Sequence, residues 1–79
     1  MQTLIIYNRC LKHCHIRYYN LDKHTISVFS DRYTCAFKFN QDCRVYDHYK
    51  NKYILTIQNP NLQTVAKTIR DLEIENEYY

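Results

Sequence analysis

The sequence of 79 residues contains no glycine, and this absence restricts how the chain can turn. A position with positive φ must then be occupied by Asn or Asp, which tolerate the left-handed region better than other residues with a Cβ atom. Three polar clusters fit this requirement and are predicted as turns: Asn20-Leu21-Asp22-Lys23, Asn40-Gln41-Asp42 and Tyr49-Lys50-Asn51. The missing glycine also excludes a P-loop and a Rossmann fingerprint, because both bring glycine backbone close to phosphate.

The segments between the turns read as strands, because most of them alternate apolar and polar residues. They cover 3–7, 15–19, 25–29, 33–39, 43–46 and 52–58, with a further turn at 30–32. Short turns favour hairpins and therefore an antiparallel meander. The first segment is a continuous apolar run, which predicts a buried strand that could sit centrally in the sheet. Two sets of residues are each predicted to share one face: Tyr33, Cys35, Phe37 and Phe39, where Cys35 and Phe37 face the core, and then Tyr53, Leu55 and Ile57.

The hydrophobic period changes after Pro60. Pro60 ends the last strand because it has no amide donor, and Asn61 is the predicted N-cap of a helix. Leu62, Val65, Ala66, Ile69 and Leu72 then form one apolar stripe at helical spacing. We predict a single α+β domain over residues 1–79. It consists of an antiparallel sheet of about five or six short strands (2–58) with one C-terminal amphipathic helix (61–77) packed on one face.

Charge is distributed unevenly along the chain. Residues 1–58 carry nine Lys and Arg against four Asp, whereas residues 59–79 carry two Lys and Arg against four Asp and Glu. Acidic residues in a last helical turn oppose the helix dipole, at a cost of about 0.3–1 kcal/mol each when unscreened. Glu73, Glu75 and Glu77 are therefore candidates for contacting a partner, and fraying of the helix end is the alternative explanation.

The N-terminal residues show neither a basic region nor a long apolar stretch, and no apolar run approaches the roughly 20 residues of a membrane helix. We therefore expect no signal peptide, no membrane contact and a location in the cytoplasm of a host cell. In that compartment Cys10, Cys14, Cys35 and Cys43 are expected to be reduced thiols.

The segment Cys10-Leu11-Lys12-His13-Cys14-His15 is the densest cluster of thiol and imidazole groups. A tetrahedral zinc site could use four ligands: Cys10, Cys14 or His13, Cys35 and Cys43. The C-x3-C spacing is not a usual zinc pair, and Cys35 shares a predicted face with Phe37, which favours simple burial. Core or loop cysteines are the favoured interpretation, and zinc binding is the alternative.

A cysteine nucleophile would pair Cys14 with His15 or His48. This pairing lacks a glycine loop for an oxyanion hole and lacks a sequence signature. We expect no enzymatic activity and no cofactor.

Cations and tyrosines interleave on the predicted outward face, in Arg17-Tyr18-Tyr19, Arg44-Val45-Tyr46 and His48-Tyr49-Lys50. Rings beside cations are typical of single-stranded nucleic-acid binding, although the RNP motifs of an RRM domain are missing. Tyr and Arg are also enriched at protein interfaces, and cross-strand Tyr pairs can simply stabilise a solvated face. The candidate partner-binding residues are Arg17, Tyr19, Arg44, Tyr46, Glu73, Glu75 and Glu77. Sheet edges could also pair two copies into a homodimer.

In overall format the chain resembles the small phage-encoded inhibitors of host defence, anti-CRISPR proteins among them. The shared features are length, a compact sheet-plus-helix layout, a Tyr-rich surface and no catalytic motif, and the resemblance covers no specific residue. It implies stoichiometric binding to a host protein or nucleoprotein complex, such as a CRISPR effector. Our first hypothesis is therefore a non-enzymatic inhibitor of this kind. The alternative is a small nucleic-acid-binding or regulatory domain that uses the basic, Tyr-rich face of the sheet.

Overall fold

The computed structural model describes residues 2–6 and 14–77 of the chain. They form one antiparallel sheet of six strands, followed by a helix that packs on one face of the sheet. The elements are β1 (Gln2–Ile6), β2 (Cys14–Asn20), β3 (Thr25–Phe29), β4 (Tyr33–Lys38), β5 (Cys43–Asp47), β6 (Lys52–Ile57) and α1 (Leu62–Glu77). The predicted α+β class, with one C-terminal helix on the sheet, is confirmed.

The strands lie in the sheet in their chain order, β1-β2-β3-β4-β5-β6. Each strand pairs antiparallel with the next, as short hairpins require. The interpretation of β1 as a central strand is wrong, because a meander places its first strand at an edge. The apolar run predicted the strand correctly, but apolar content does not determine position in the sheet.

Asparagine occupies every position of positive φ in the described residues: Asn40 (66°), Asn51 (56°) and Asn59 (48°). The first two lie in predicted turns, and the third lies between β6 and α1. The predicted turn after β2 is also confirmed, since the Asp22 carboxylate accepts hydrogen bonds from the amides of His24 at 2.7 Å and Thr25 at 2.8 Å. Asparagine thus supplies the left-handed conformations in a chain without glycine.

The helix α1 packs across β2, β3 and β4 through its apolar stripe. Asn61 caps its first turn, because its side-chain oxygen accepts a hydrogen bond from the Thr64 amide at 2.8 Å. Val65 and Ile69 are fully buried, while Leu62 and Leu72 pack against the core from the two ends of the stripe. In the described part of the chain, no helix combines the length and the apolar character needed to cross a membrane.

The core lies between α1 and the inner face of the sheet, which we define as the face that α1 covers. Its buried apolar residues from the strands are Ile16, Val28, Tyr33, Cys35, Phe37, Cys43, Val45 and Ile57. Successive buried positions within β4 and β5 are two residues apart, as the predicted alternation requires. The inner face is therefore a continuous apolar surface beneath the helix.

Two residues depart from the sets predicted to share a face. Phe39 follows the end of β4, just before the left-handed Asn40, and is 58% exposed. Tyr53 is 54% exposed because β5 and β6 change register: Val45 pairs with Leu55, whereas Tyr46 pairs with Tyr53. The extra residue between Tyr53 and Leu55 forms a β-bulge, so these two side chains point to opposite faces of the sheet.

A buried ion pair joins the turn before β4 to the turn after β5. Arg32 donates from Nε to Oδ1 of Asp47 at 3.0 Å and from its terminal nitrogen to Oδ2 at 2.9 Å. The Asp47 carboxylate, 1% exposed, also accepts hydrogen bonds from the amides of Tyr49 at 2.9 Å and Lys50 at 3.2 Å. The guanidinium of Arg32 in turn lies 4.9 Å from the centre of the Tyr49 ring. This pair therefore organises both turns at one end of the sheet.

The central contact of the helix can be tested by Ile69→Ala. This substitution removes a fully buried side chain, so we expect the free energy of unfolding to fall by about 2–5 kcal/mol in urea denaturation. The control is Lys67→Ala on the exposed side of the same helix, expected to change it by less than about 0.5 kcal/mol. Equal effects of the two substitutions would contradict the packing described here.

The Arg32–Asp47 pair predicts a loss of stability in acid. The hydrogen bond from Arg32, assisted by the two turn amides, lowers the pKa of Asp47 from 3.8 to about 2. A lowered folded-state pKa stabilises the fold above the ordinary pKa, and this contribution disappears as pH falls through the folded-state value. We expect the free energy of unfolding to decrease between about pH 4 and pH 2.

The control for this prediction is Asp47→Asn, which removes the titrating group. At neutral pH the variant is expected to be less stable, because it removes the charge-assisted hydrogen bonds between Asp47 and Arg32. Its stability should also depend less on pH in the acid range. The same acid dependence in both proteins would show that other carboxylates are responsible.

Candidate functional site

The face of the sheet opposite α1, which we call the outer face, is covered by no helix within residues 2–6 and 14–77. A row of paired residues crosses it from β2 to β6: Arg17, Phe29, Thr34, Tyr46 and Tyr53. A second row contains Tyr19, Ser27 and Ala36 on β2, β3 and β4. Arg17, Tyr19, Arg44 and Tyr46, all predicted as partner-binding residues, lie on this one face. The alternating pattern of β2 and β5 places them there, because their neighbours Ile16 and Val45 are buried inward.

The first group of side chains, the Arg17 cluster, consists of Arg17, Tyr19 and Phe29. The guanidinium carbon of Arg17 lies 5.1 Å from the centre of the Phe29 ring, and Tyr19 meets the same ring edge to face at 5.7 Å. Arg17 also contacts Asp31 at 3.4 Å, and that carboxylate is 91% exposed. Such a solvated pair contributes little stability. The main effect of these contacts is to hold the side chains of Arg17, Tyr19 and Phe29 in fixed positions against one another.

The second group, the Arg44 cluster, consists of Arg44, Tyr46, His48 and Tyr53. The guanidinium carbon of Arg44 lies 4.2 Å from the centre of the Tyr53 ring. Tyr46 meets Tyr53 edge to face at 5.1 Å and His48 at 5.0 Å. His48 is held in addition by a contact of 2.6 Å between its Nε2 and Oγ1 of Thr34. Each ring is therefore fixed by at least one neighbour before any partner arrives.

A shallow open depression lies beside the Arg44 cluster. It is lined by Thr34, Ala36, Asp42, Arg44, Tyr46 and Tyr53, among others. Ala36 has the smallest side chain of this set, so the surface is lowest where β4 passes between the two clusters. Asp42 is held at the rim, where it accepts a hydrogen bond from the Asn59 amide at 3.4 Å. The depression is polar at its rim and aromatic on one wall.

Arg44 differs from the other arginines that the structure describes. Three of them contact a carboxylate: Arg17 with Asp31 at 3.4 Å, Arg32 with Asp47 at 2.9 Å and Arg70 with Asp71 at 3.0 Å. Within residues 2–6 and 14–77, the recorded contact of the Arg44 guanidinium is the ring of Tyr53. Its donors remain free to bind an incoming carboxylate or phosphate, and the planar guanidinium suits bidentate binding of either.

The acidic candidates lie on α1 and not on the outer face. Glu73 is half-buried and accepts a hydrogen bond from Oγ of Ser30 at 2.8 Å, which ties the helix to the turn between β3 and β4. Glu75 is exposed, and Glu77 is the last residue of the helix. The two groups of predicted partner-binding residues therefore lie in different layers of the fold. Glu73 has a structural contact of its own.

The cysteine candidates are only partly brought together. Cys35 and Cys43 lie side by side in the core, with 2.9 Å between their Sγ atoms. Cys10, His13 and the side chain of Cys14 lie outside the described residues. Among the residues that are described, no three His, Cys, Asp or Glu side chains converge as metal ligands would. Two of the four ligands in the zinc alternative, Cys35 and Cys43, therefore lie in the described core.

The backbone positions of Cys14 and His48, the suggested nucleophile pair, lie far apart in the sheet. Cys14 lies on β2 and His48 follows β5, and two strands separate β2 from β5. At about 4.8 Å per strand, this separation is about 14 Å, well beyond hydrogen-bonding distance.

Two contacts of the outer face are not predicted by the sequence. Tyr53 is predicted on the same face as Leu55 and Ile57, because nothing in the sequence indicates the bulge in β6. The strand alternation places Phe29 on the face of Ser27, but the sequence does not indicate its contact with Arg17. His48 is predicted both as a base beside Cys14 and as one of the interleaved cations and tyrosines, and the structure places it against Tyr46.

No family model, curated protein or solved structure matches this chain. Its function is therefore inferred from the chemistry of its own surfaces.

The exposed position of Arg44 predicts that its side chain contributes little to the fold. Arg44→Ala removes one cation–π contact at an exposed site, so the free energy of unfolding should fall by less than about 1 kcal/mol. The matched control is Val45→Ala, the next residue of the same strand, which is fully buried and should cost about 2 kcal/mol. A larger loss for Arg44→Ala than for Val45→Ala in urea denaturation would make Arg44 a structural residue.

Proposed function

We propose that this protein is a non-enzymatic binding protein that attaches stoichiometrically to a larger host protein or nucleoprotein complex and inhibits it. In this proposal the outer face is the contact surface, and Arg44 binds an acidic side chain of the partner. The observation that carries the proposal is the Arg44 guanidinium, which lies on the Tyr53 ring and has no ion pair with a carboxylate of residues 2–6 and 14–77.

Residue type supports a protein partner. Tyr and Arg are the residues most enriched among those that dominate binding energy at protein interfaces, and they act from well-packed positions. Tyr46 and Tyr53 are held by edge-to-face contacts, so little side-chain freedom is lost when a partner binds. Preorganisation of this kind increases affinity because ordering side chains opposes association.

Ring geometry favours a protein over a nucleic acid. A base stacks on the open face of an aromatic ring. Here the Phe29 and Tyr53 rings each have an arginine lying over one face, at 5.1 and 4.2 Å respectively. Tyr46 meets two neighbouring rings edge to face. Fewer ring faces are therefore open for stacking with a base than the tyrosine content of the sequence suggests.

Nucleic-acid binding is the second candidate. The observation in its favour is that Arg44 and Lys38 are both exposed on the outer face, which α1 does not cover. Such binding would depend steeply on salt, because each neutralised phosphate releases counterions.

The class of partner follows from the format of the chain. Small phage-encoded inhibitors, which the chain resembles in length and layout, act by covering a working surface of a host complex, and a CRISPR effector is one candidate. The same proposal places the protein in the cytoplasm of a host cell. A second copy of the chain is a further candidate partner, since β1 and β6 end the sheet with unpaired edges in the described meander.

The test is affinity purification with the tagged protein from a host lysate, followed by affinity measurements on the recovered partner. We expect a partner in fixed stoichiometry. Arg44→Ala and Tyr53→Ala should each weaken binding about tenfold or more. The control is Lys67→Ala on the exposed side of α1, which should bind like the unaltered protein.

Three results would count against the proposal. Equal loss of affinity for Lys67→Ala would mean that the contact is not on the outer face. Loss on Glu75→Ala, with Arg44→Ala unaffected, would place the contact on the acidic end of the helix. A salt-sensitive complex with a labelled oligonucleotide, and no protein partner, would replace the proposal with the nucleic-acid candidate.

A further inference from the structure

The thiols of Cys35 and Cys43 are in direct contact inside the core. Cys35 lies on β4 and Cys43 begins β5, and both point to the inner face. Their Sγ atoms are 2.9 Å apart, whereas a disulfide bond is about 2.05 Å long. A shift of less than about 1 Å at the sulfur atoms is therefore enough to join them.

We propose that Cys35 and Cys43 are a disulfide-forming pair that closes when a peroxide is present as oxidant and reopens when a thiol is present as reductant. Cys43 also lines the depression beside the Arg44 cluster, but closure of the bond does not depend on the proposed function. The bond would connect β4 and β5 across a loop of nine residues, 35–43. Both cysteines are free in the described structure, which therefore represents the reduced form of the pair.

The reaction proceeds in two displacements. Cys43 loses its proton, and its sulfur attacks one oxygen of hydrogen peroxide; the O–O bond breaks and the departing hydroxide takes up a proton to become water. Cys43 is then a sulfenic acid. The sulfur of Cys35 attacks the Cys43 sulfur, the S–O bond breaks, and a second water leaves as the disulfide forms. Two thiols are oxidised and one peroxide is reduced to two waters.

Burial determines which thiol reacts first and how quickly. Cys43 retains 6% of its exposure and Cys35 retains none, so the oxidant reaches Cys43 first. Burial raises the pKa of both thiols, which keeps the thiolate fraction small at neutral pH. Closure is therefore slow and needs sustained exposure to the oxidant. Once Cys43 is oxidised, the contact with Cys35 makes the second displacement intramolecular.

The new bond would lie beneath the outer face. Cys35 precedes Ala36 and Cys43 precedes Arg44 in the sequence, and both neighbours line the depression. A covalent link between β4 and β5 would restrict the relative movement of those two residues. The pair is thus placed to make the candidate contact surface more rigid under oxidising conditions.

The position of basic residues makes the pair testable by peptide mapping. Arg32, Lys38 and Arg44 are trypsin sites, and cleavage places the two cysteines on separate peptides, 33–38 and 39–44. The full-length reduced protein is incubated with hydrogen peroxide, its remaining thiols are alkylated, and it is digested without reductant. We expect the two peptides to appear joined by mass spectrometry and to separate after treatment with dithiothreitol.

A variant isolates the pair from the other thiols. Cys10→Ser with Cys14→Ser leaves Cys35 and Cys43 as the remaining cysteines of the chain. On oxidation it should lose two hydrogens in intact mass without forming a disulfide between two chains, and its thermal midpoint should rise by about 10 °C. Adding Cys43→Ser to this background should abolish both changes.

Three outcomes would overturn the proposal. In the first, the peptides 33–38 and 39–44 carry alkylated thiols after prolonged oxidation, or they carry sulfinic and sulfonic acids and no disulfide link. Alternatively, Cys35 or Cys43 would be linked to Cys10 or Cys14 in the unaltered protein. Finally, protein purified without chelator would contain one equivalent of zinc that protects Cys35 and Cys43 from peroxide, which would assign the pair to a metal site.

Discussion

The burial of one helical stripe against one face of the sheet is the interaction on which the rest of this structure depends. Val65, Ala66 and Ile69 fill the space above β2, β3 and β4, and the apolar residues of the strands face them. A six-stranded sheet has two faces, and the described chain supplies one helix. The opposite face must therefore be stable in water. On that face, arginine side chains lie over aromatic rings, so that charged groups partly cover the apolar ring surfaces.

The same alternation that builds the core also builds the outer face. In β5, Cys43, Val45 and Asp47 point inward, and Arg44 and Tyr46 point outward between them. Because side chains alternate along a strand, a pattern that places apolar residues in the core also places the intervening residues on the outer face. Tyr53 joins the outward set through the bulge in β6, and it provides the ring on which Arg44 lies. A local irregularity of the backbone thus completes the Arg44 cluster.

The sequence was sufficient for the elements that depend on local chemistry. The helical stripe, the Asn61 cap and the asparagine turns all follow from residue type and spacing within a few positions. What the sequence did not show depends on residues distant in the chain. The Arg32–Asp47 pair joins positions 15 residues apart, and the edge position of β1 follows from the order of the whole sheet. The sequence also does not show that Arg44 lies on Tyr53 without an ion pair to any carboxylate in the described part of the chain, because this depends on the positions of residues distant in the sequence.

We propose that the outer face, and not the helix, contacts a partner. Amide chemical-shift changes can be mapped by NMR when the recovered partner is added to labelled protein. We expect the largest changes on the outer-face residues Arg17, Thr34, Ala36, Arg44 and Tyr53. Changes concentrated on the exposed side of α1, at Gln63, Lys67 and Glu75, would contradict it.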